Sequence, residues 1–325
     1  MSRVITHIVN CALVPNDLGP ANCANVVLVR PGQTIVPEFL AHFIRSPAAQ
    51  KYLMDRKVGS AQLVVNTTVV KEWPVPIPPL PEQQRIVALL DEAFAGLATA
   101  KANAERNLQS ARAIFESYLE SVLTEGGDTW EEKTLGNMCA IARGGSPRPI
   151  NEFITEEAGG INWIKISDAT SSDKYIFKTA QKIRPDGASR SRMVHDGDFI
   201  LSNSMSFGRP YIMRTSGCIH DGWLVLAEYA KSFEQDYLYY LLGSRYVYRQ
   251  FDALAAGSTV RNLNIELASR VTLPVPPLEV QQNIARQIEA LEEEIHRLTK
   301  IYERKLASLE ELKKSLLQKA FNGEL

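Results

Sequence analysis

Pro76-Ile77-Pro78-Pro79-Leu80-Pro81-Glu82-Gln83-Gln84-Arg85-Ile86 is written a second time near the C-terminus, as Pro274-Val275-Pro276-Pro277-Leu278-Glu279-Val280-Gln281-Gln282-Asn283-Ile284. The offset is 198 residues and holds without a gap to the end of the chain, through Arg106/Arg304, Leu108/Leu306, Ser117/Ser315 and Leu119/Leu317. Proline fixes φ and has no amide hydrogen, so each prolyl run is an extended stop. The Glu/Gln-rich segment after it is free to begin a helix.

Both segments then continue with a helical period. Apolar or small residues fall at Ile86, Leu90, Ala93, Leu97, Ala100, Ala104, Leu108, Ala111, Ile114 and Tyr118. At the same offset they are Ile284, Ile288, Leu291, Ile295, Leu298, Tyr302, Leu306, Leu309, Leu312 and Leu316. Steps alternating between four and three form the seam of a coiled coil. Roughly 40 residues at ~1.5 Å each make a rod on the order of 60 Å. The first seam is rich in alanine and the second in large side chains. In an antiparallel pair with Ile86 opposite Leu316, Ala93 faces Leu309, Ala100 faces Tyr302, Ala104 faces Leu298 and Ala111 faces Leu291. Small then meets large at each level, as close packing requires.

The repeat also extends upstream of the helices. Gly59-Ser60 matches Gly257-Ser258, Glu38-Phe39-Leu40 matches Asp236-Tyr237-Leu238, Ser46 matches Ser244, and Val27-Leu28 matches Val225-Leu226. Residues 1–127 therefore echo 199–325, while 128–198 have no upstream counterpart. A period near 200 residues is too long for a solenoid and indicates a duplicated globular domain with its rod. The expected division is a partial first domain (1–75), a first long helix (76–127), a complete second domain (128–273) and a second long helix (274–325).

In the complete domain, Trp130 to Gly136 reads as an entry strand, and Ile161 to Ile166 and Asp198 to Ser202 read as further strands. His195-Asp196-Gly197-Asp198 reads as a tight turn on its Asp-Gly pair, and Tyr237 to Asp252 as one amphipathic helix. The fold class is α+β: domains of mixed strands and helices, joined by two long antiparallel coiled-coil helices.

Composition narrows the function. With 36 basic against 37 acidic residues, the net charge is −1, so bulk charge does not hold this chain on nucleic acid and any such binding rests on local patches. Cys11, Cys23, Cys139 and Cys218 lack metal-ligand spacing. No signal peptide or membrane-spanning run is apparent, and a cytoplasmic protein is expected. The chain has no phosphate-cradling Gly-x-x-x-x-Gly-Lys-Ser/Thr and no cofactor glycine motif. His195 and His220 have no evident nucleophilic partner. No catalytic residue, cofactor or metal is expected.

Taken in order, these motifs resemble the specificity subunit of type I restriction–modification systems. The resemblance covers nearly the whole chain. It is carried by the two prolyl-Leu-x-x-Gln-Gln stretches with their helices, by Trp130-Glu131…Leu135-Gly136, and by Arg143-Gly144-Gly145-Ser146-Pro147. Asp196-Gly197-Asp198-Phe199-Ile200-Leu201-Ser202, Gly208-Arg209-Pro210 and Gly257-Ser258-Thr259…Leu263-Asn264 complete it. It implies two target-recognition domains that read the halves of a bipartite site in double-stranded DNA, with two helices packed antiparallel. Two methyltransferase subunits would dock on the helices, with restriction/translocase subunits alongside, and the chemistry would reside in those partners. The departure from the pattern is the first domain, which lacks the entry strand and the Gly-Gly-Ser-Pro loop.

The DNA-contact candidates lie on polar turns of the complete domain: Arg143, Gly144, Gly145, Ser146, Arg148, Lys165, Ser204, Arg209, Ser258, Thr259, Arg261 and Asn262. Guanidinium groups beside glycines suit an approach to phosphate, while base edges must be met by side chains. Gln83, Gln84, Gln281 and Gln282 are the candidates for docking partner subunits. The alternative reading is a degenerate or regulatory fragment that binds partners through its coiled coil without reading a full site. A stand-alone nuclease ranks third.

Overall fold

The computed structural model describes residues 11–325 apart from 16, 23, 25, 57–66, 125–129, 171, 204–206 and 256–261. The chain divides into two compact units, Met1–Ala111 with Arg297–Leu325, and Arg112–His296. The first unit holds helices α1 (Pro37–Arg45), α2 (Pro47–Asp55), α3 (Thr67–Lys71) and most of α4 (Leu80–Thr124). Among its described residues there is no strand.

The second unit opens with β1 (Glu131–Thr134), α5 (Leu135–Met138), β2 (Ala140–Arg143), β3 (Ile154–Thr155), β4 (Ile161–Ile164) and α6 (Ile166–Thr170). It continues with β5 (Tyr175–Ile176), β6 (Gln181–Ile183), α7 (Pro185–Ala188), β7 (Arg192–Val194), β8 (Phe199–Ser202) and β9 (Pro210–Met213). Then come β10 (Gly217–Ile219), β11 (Trp223–Ala227), α8 (Gln235–Gly243), α9 (Arg245–Ala255), α10 (Ile265–Ser269) and β12 (Thr272–Val275). The last helix, α11 (Leu278–Asn322), like α4, runs for 45 residues and contributes to both units.

Two five-stranded sheets, ordered β3-β6-β4-β10-β7 and β2-β11-β8-β9-β5, face each other in the second unit, and β1 pairs with β12 beside them. Successive side chains of a strand point to opposite faces, which sorts this core. Ile200, Tyr211, Met213, Trp223 and Val225 meet Ile164 and Ile219 of the other sheet. The alternate residues Phe199, Leu201, Ile212, Leu224 and Leu226 meet Leu238 and Leu241 of α8 and Leu123, Ile284 and Ile288 of the long helices. The central sheet is thus covered on both faces, which explains why β8, β9 and β11 read as nearly unbroken apolar runs.

The helix starts follow from the prolyl stops. The Pro79 carbonyl accepts the Glu82 and Gln83 amides, and the Pro277 carbonyl accepts those of Val280 and Gln281. Pro81 is tolerated because a first-turn amide has no intrahelical acceptor. In each unit α4 and α11 run antiparallel. The first unit joins Phe94 to Lys313, Lys101 to Glu310 and Asn107 to Tyr302, and the second joins Tyr118 to Gln287. Side chains lean toward the N-terminus of their own helix, so their tips meet beyond level Cα atoms. Ala104 is buried.

Two expected seam positions are corrected: Ile114 is 61% and Leu312 48% exposed. Phe115 packs into the core in place of Ile114, and Leu316, Leu317 and Ala320 carry the last turns of α11. A seam drifts across a straight helix because 3.6 residues per turn do not match a repeat of 3.5. The single helix expected over Tyr237–Asp252 is two helices broken at Ser244, whose hydroxyl donates to the Leu241 carbonyl and accepts the Val247 amide.

Candidate nucleic-acid interface

The strand register of the central sheet decides where the polar loops lie. Arg143 ends β2 opposite Leu224, Ser202 ends β8 opposite Trp223, and Pro210 begins β9 opposite Leu201. All three termini share one end of the sheet. The facing sheet ends there too, since β4 and β10 are parallel with Ile164 level with Ile219, which puts Lys165 and His220 next in line. The chain beyond α9 is tied to the same end by the Leu263 amide, which donates to the Asn203 carbonyl at 2.8 Å. Arg143, Ser146, Arg148, Lys165, Arg209 and Asn262, widely separated in sequence, therefore converge. Ser204, Ser258, Thr259 and Arg261 lie outside the described residues.

The node of the cluster is Asp221, which sequence reasoning missed. Its carboxylate accepts from the Ser146 hydroxyl at 2.7 Å and from the Arg148 guanidinium at 3.1 Å. Its carbonyl accepts from Arg143 Nε at 3.1 Å and from Asn203 Nδ2 at 2.8 Å. The Ser146 hydrogen bond holds the Asp221 carboxyl below the usual carboxylate range, against the opposing effect of its own burial. Burial pushes the neighbouring His220 imidazole down, partly offset by Asp221, and His220 Nδ1 accepts the Gly222 amide at 2.7 Å. The Asp221-Gly222 dipeptide was the available signal: a turn pair between two strands.

The glycines of the Arg143 loop do not serve as expected. The Gly144 amide donates to the Trp223 carbonyl and the Gly145 amide to that of Ile219. Both donors are spent inside the protein, so neither is offered to a phosphate. Their necessity is steric: a Cβ on Gly144 would lie 2.1 Å from the His220 carbonyl oxygen. Gly208, at φ +74°, supplies the left-handed turn that delivers Arg209 to β9. The Arg209 guanidinium lies 5.2 Å from the Tyr211 ring centre and donates to the Asp173 carbonyl at 3.5 Å.

Beside the node is a cleft of about 850 Å³ walled by Pro147, Ile150 and Trp163, with Arg148 and Lys165 at its polar side. The Arg148 guanidinium and the Lys165 ammonium on this cleft, with the exposed Arg143 and Arg209 at the same end of the sheets, can meet phosphates and base edges together. Among the described residues, no group of three or more His, Cys, Asp or Glu could hold a metal ion, and no helix is long and apolar enough to cross a membrane.

The two Gln-Gln pairs have split roles. Gln83 accepts the Val36 amide at 2.8 Å and donates to the carbonyls of Thr34 and Pro78 at 2.9 and 2.8 Å. Gln281 repeats all three bonds at the 198-residue offset, with Glu234, Ser232 and Pro276. Both side chains are fully buried, which corrects the expectation that they face a partner: they staple each long helix to the chain that precedes the globular helices. Gln84 and Gln282 are exposed.

A family model described as the type I restriction modification DNA specificity domain matches residues 4–106 and 127–305. The StySPI type I restriction enzyme specificity subunit of Salmonella potsdam is 23% identical over 320 residues, covering 91% of this chain and 67% of the relative. A solved chain from a type I R-M system superposes with a TM-score of 0.72 at 23% identity, over 89% of this chain and 72% of that one. The HsdS subunit from Thermoanaerobacter tengcongensis gives 0.61 at 23% identity, over 90% and 72%.

Proposed function

The chain belongs to the type I restriction–modification DNA specificity family, and from that premise we propose that it is the sequence-specific DNA-recognition subunit of such a complex. It reads a bipartite site and docks the methyltransferase and restriction subunits. Residues 128–273 form its well-equipped reader, and the closing strand β12 pairs with β1 as far as Val275, two residues past that bound.

The observation that carries the reading is the meeting of two separate loops, one bearing Arg143 and Ser146 and the other Asn203, on the Asp221 turn, at one end of two facing sheets. In this reading Arg143 and Arg148 engage the backbone. Ser146, Lys165, Arg209 and Asn262, together with Ser204, Ser258, Thr259 and Arg261, supply the remaining contacts. Gly144 and Gly145 shape the loop. The exposed Gln84 and Gln282 take the partner-docking role that the buried Gln83 and Gln281 cannot. One specificity chain binds two methyltransferase subunits, and modification and cleavage are performed by the partners.

Footprinting tests this reading. The chain assembled with its methyltransferase subunits is expected to protect one defined sequence in a long duplex. Uniform protection along the duplex, or none, would contradict it.

A further inference from the structure

Asp221 is an acid at the centre of a surface otherwise furnished with cations, and its contacts leave part of it open. A carboxylate offers about four lone-pair sites. One oxygen takes the Ser146 hydroxyl and the other the Arg148 guanidinium, while 46% of the side chain stays exposed. Asn203 and Arg143 fix its backbone carbonyl, and Ser146 also accepts its amide at 3.4 Å, so the residue is held from both sides. A fixed, half-open carboxylate repels phosphate and the keto edges of guanine and thymine. In the major groove its complement is an exocyclic amino group, N4 of cytosine or N6 of adenine.

We propose that Asp221 is a specificity-determining residue that reads a base amino group, oriented by Ser146 and Arg148. This rests on the DNA-recognition reading above. Arg148 plays two parts: it neutralises Asp221 in the free protein and lies ready for a neighbouring phosphate once the base amino group takes its place on the carboxylate. Random DNA offers backbone charge without the matched amino group, so the carboxylate lowers its affinity.

The test uses the chain assembled with its methyltransferase subunits, on duplexes carrying the sequence that the complex methylates. Each cytosine is replaced in turn by uracil, and each adenine by hypoxanthine, exchanging the amino group for a keto oxygen. The wild-type complex is expected to lose about 10- to 100-fold in affinity at the position read by Asp221, the range of one good base contact. Asp221→Asn keeps an acceptor for Ser146 but presents both donor and acceptor to DNA. It should lose that sensitivity at one position only, and bind a random-sequence duplex about three- to tenfold more tightly. If Asp221→Asn fails to fold, Asp221→Ser makes the same comparison. Full sensitivity at every position in the folded variant would overturn the assignment while leaving DNA recognition intact. A wild-type complex that prefers no sequence would overturn both.

Discussion

At the scale of single residues, the interface is governed by what each side chain touches in the free protein. Arg143 and Arg148 hang on the turn of Asp221 with most of the Arg148 side chain in solvent. An exposed ion pair of this kind contributes only about 0–1 kcal/mol, so replacing both arginines by alanine should leave folding intact. In the assembled complex the double variant is expected to bind DNA more weakly, with a salt dependence shallower by roughly one unit of slope for each phosphate no longer neutralised. Unchanged slope and affinity would move the DNA surface elsewhere. Gly144 should behave in the opposite way. Its Cβ would strike a carbonyl oxygen that cannot retreat without disturbing the Trp223 strand, so Gly144→Ala should cost on the order of 3 kcal/mol in denaturant unfolding. His220 adds a pH dependence. Because burial lowers its folded value, the unfolded chain takes up that proton first as pH falls. The His220 contribution is whole above about 6.5, the free imidazole value, and is lost on descending through the folded one. His220→Asn, which can still accept the Gly222 amide, should flatten that part of a stability–pH curve.

At the scale of elements, the two glutamine staples are the duplicated feature that fixes each long helix. Gln83→Ala or Gln281→Ala leaves a backbone amide and two carbonyls without a buried partner and should cost about 1–3 kcal/mol each. Replacing Gln84 and Gln282 should leave the unfolding midpoint in place and weaken methyltransferase binding, which titration calorimetry would read. Ala104 is buried in the helix seam, and Ala104→Phe should overpack it by about 1–3 kcal/mol. The long helices were legible because a 198-residue repeat doubles every signal, from prolyl stop to seam. The break at Ser244 was legible in only one copy, where Ser46-Pro47 writes a helix start that Ser244-Arg245 does not; the Ser46 hydroxyl indeed accepts the Ala49 amide. Ile114 and Leu312 misled because a fixed three–four spacing ignores the drift of a straight helix. The staple was hidden because a glutamine beside a helix start looks solvated until its partners, some 47 residues upstream, are in place. The loops after Arg143 and Ser202 were each visible, but their meeting on Asp221 depends on strand order, which spacing does not encode.

At the scale of the whole molecule, the near-zero net charge is the informative constraint. A chain with 36 basic and 37 acidic residues must gain its affinity from a local cluster and its partners. Helices of 45 residues are about 68 Å long, a little under two turns of B-DNA at about 34–36 Å each. A bipartite motif with a fixed unread spacer follows from that length. Light scattering on the assembled complex is expected to give a mass for one specificity chain and two methyltransferase subunits, and a mass requiring two specificity chains would replace that arrangement. The most direct test of the central claim is sequencing of methylated positions in genomic DNA modified by the assembled complex. A single motif of two short read blocks around an unread spacer of constant length is expected. Methylation scattered without a common motif, or none at all, would contradict it.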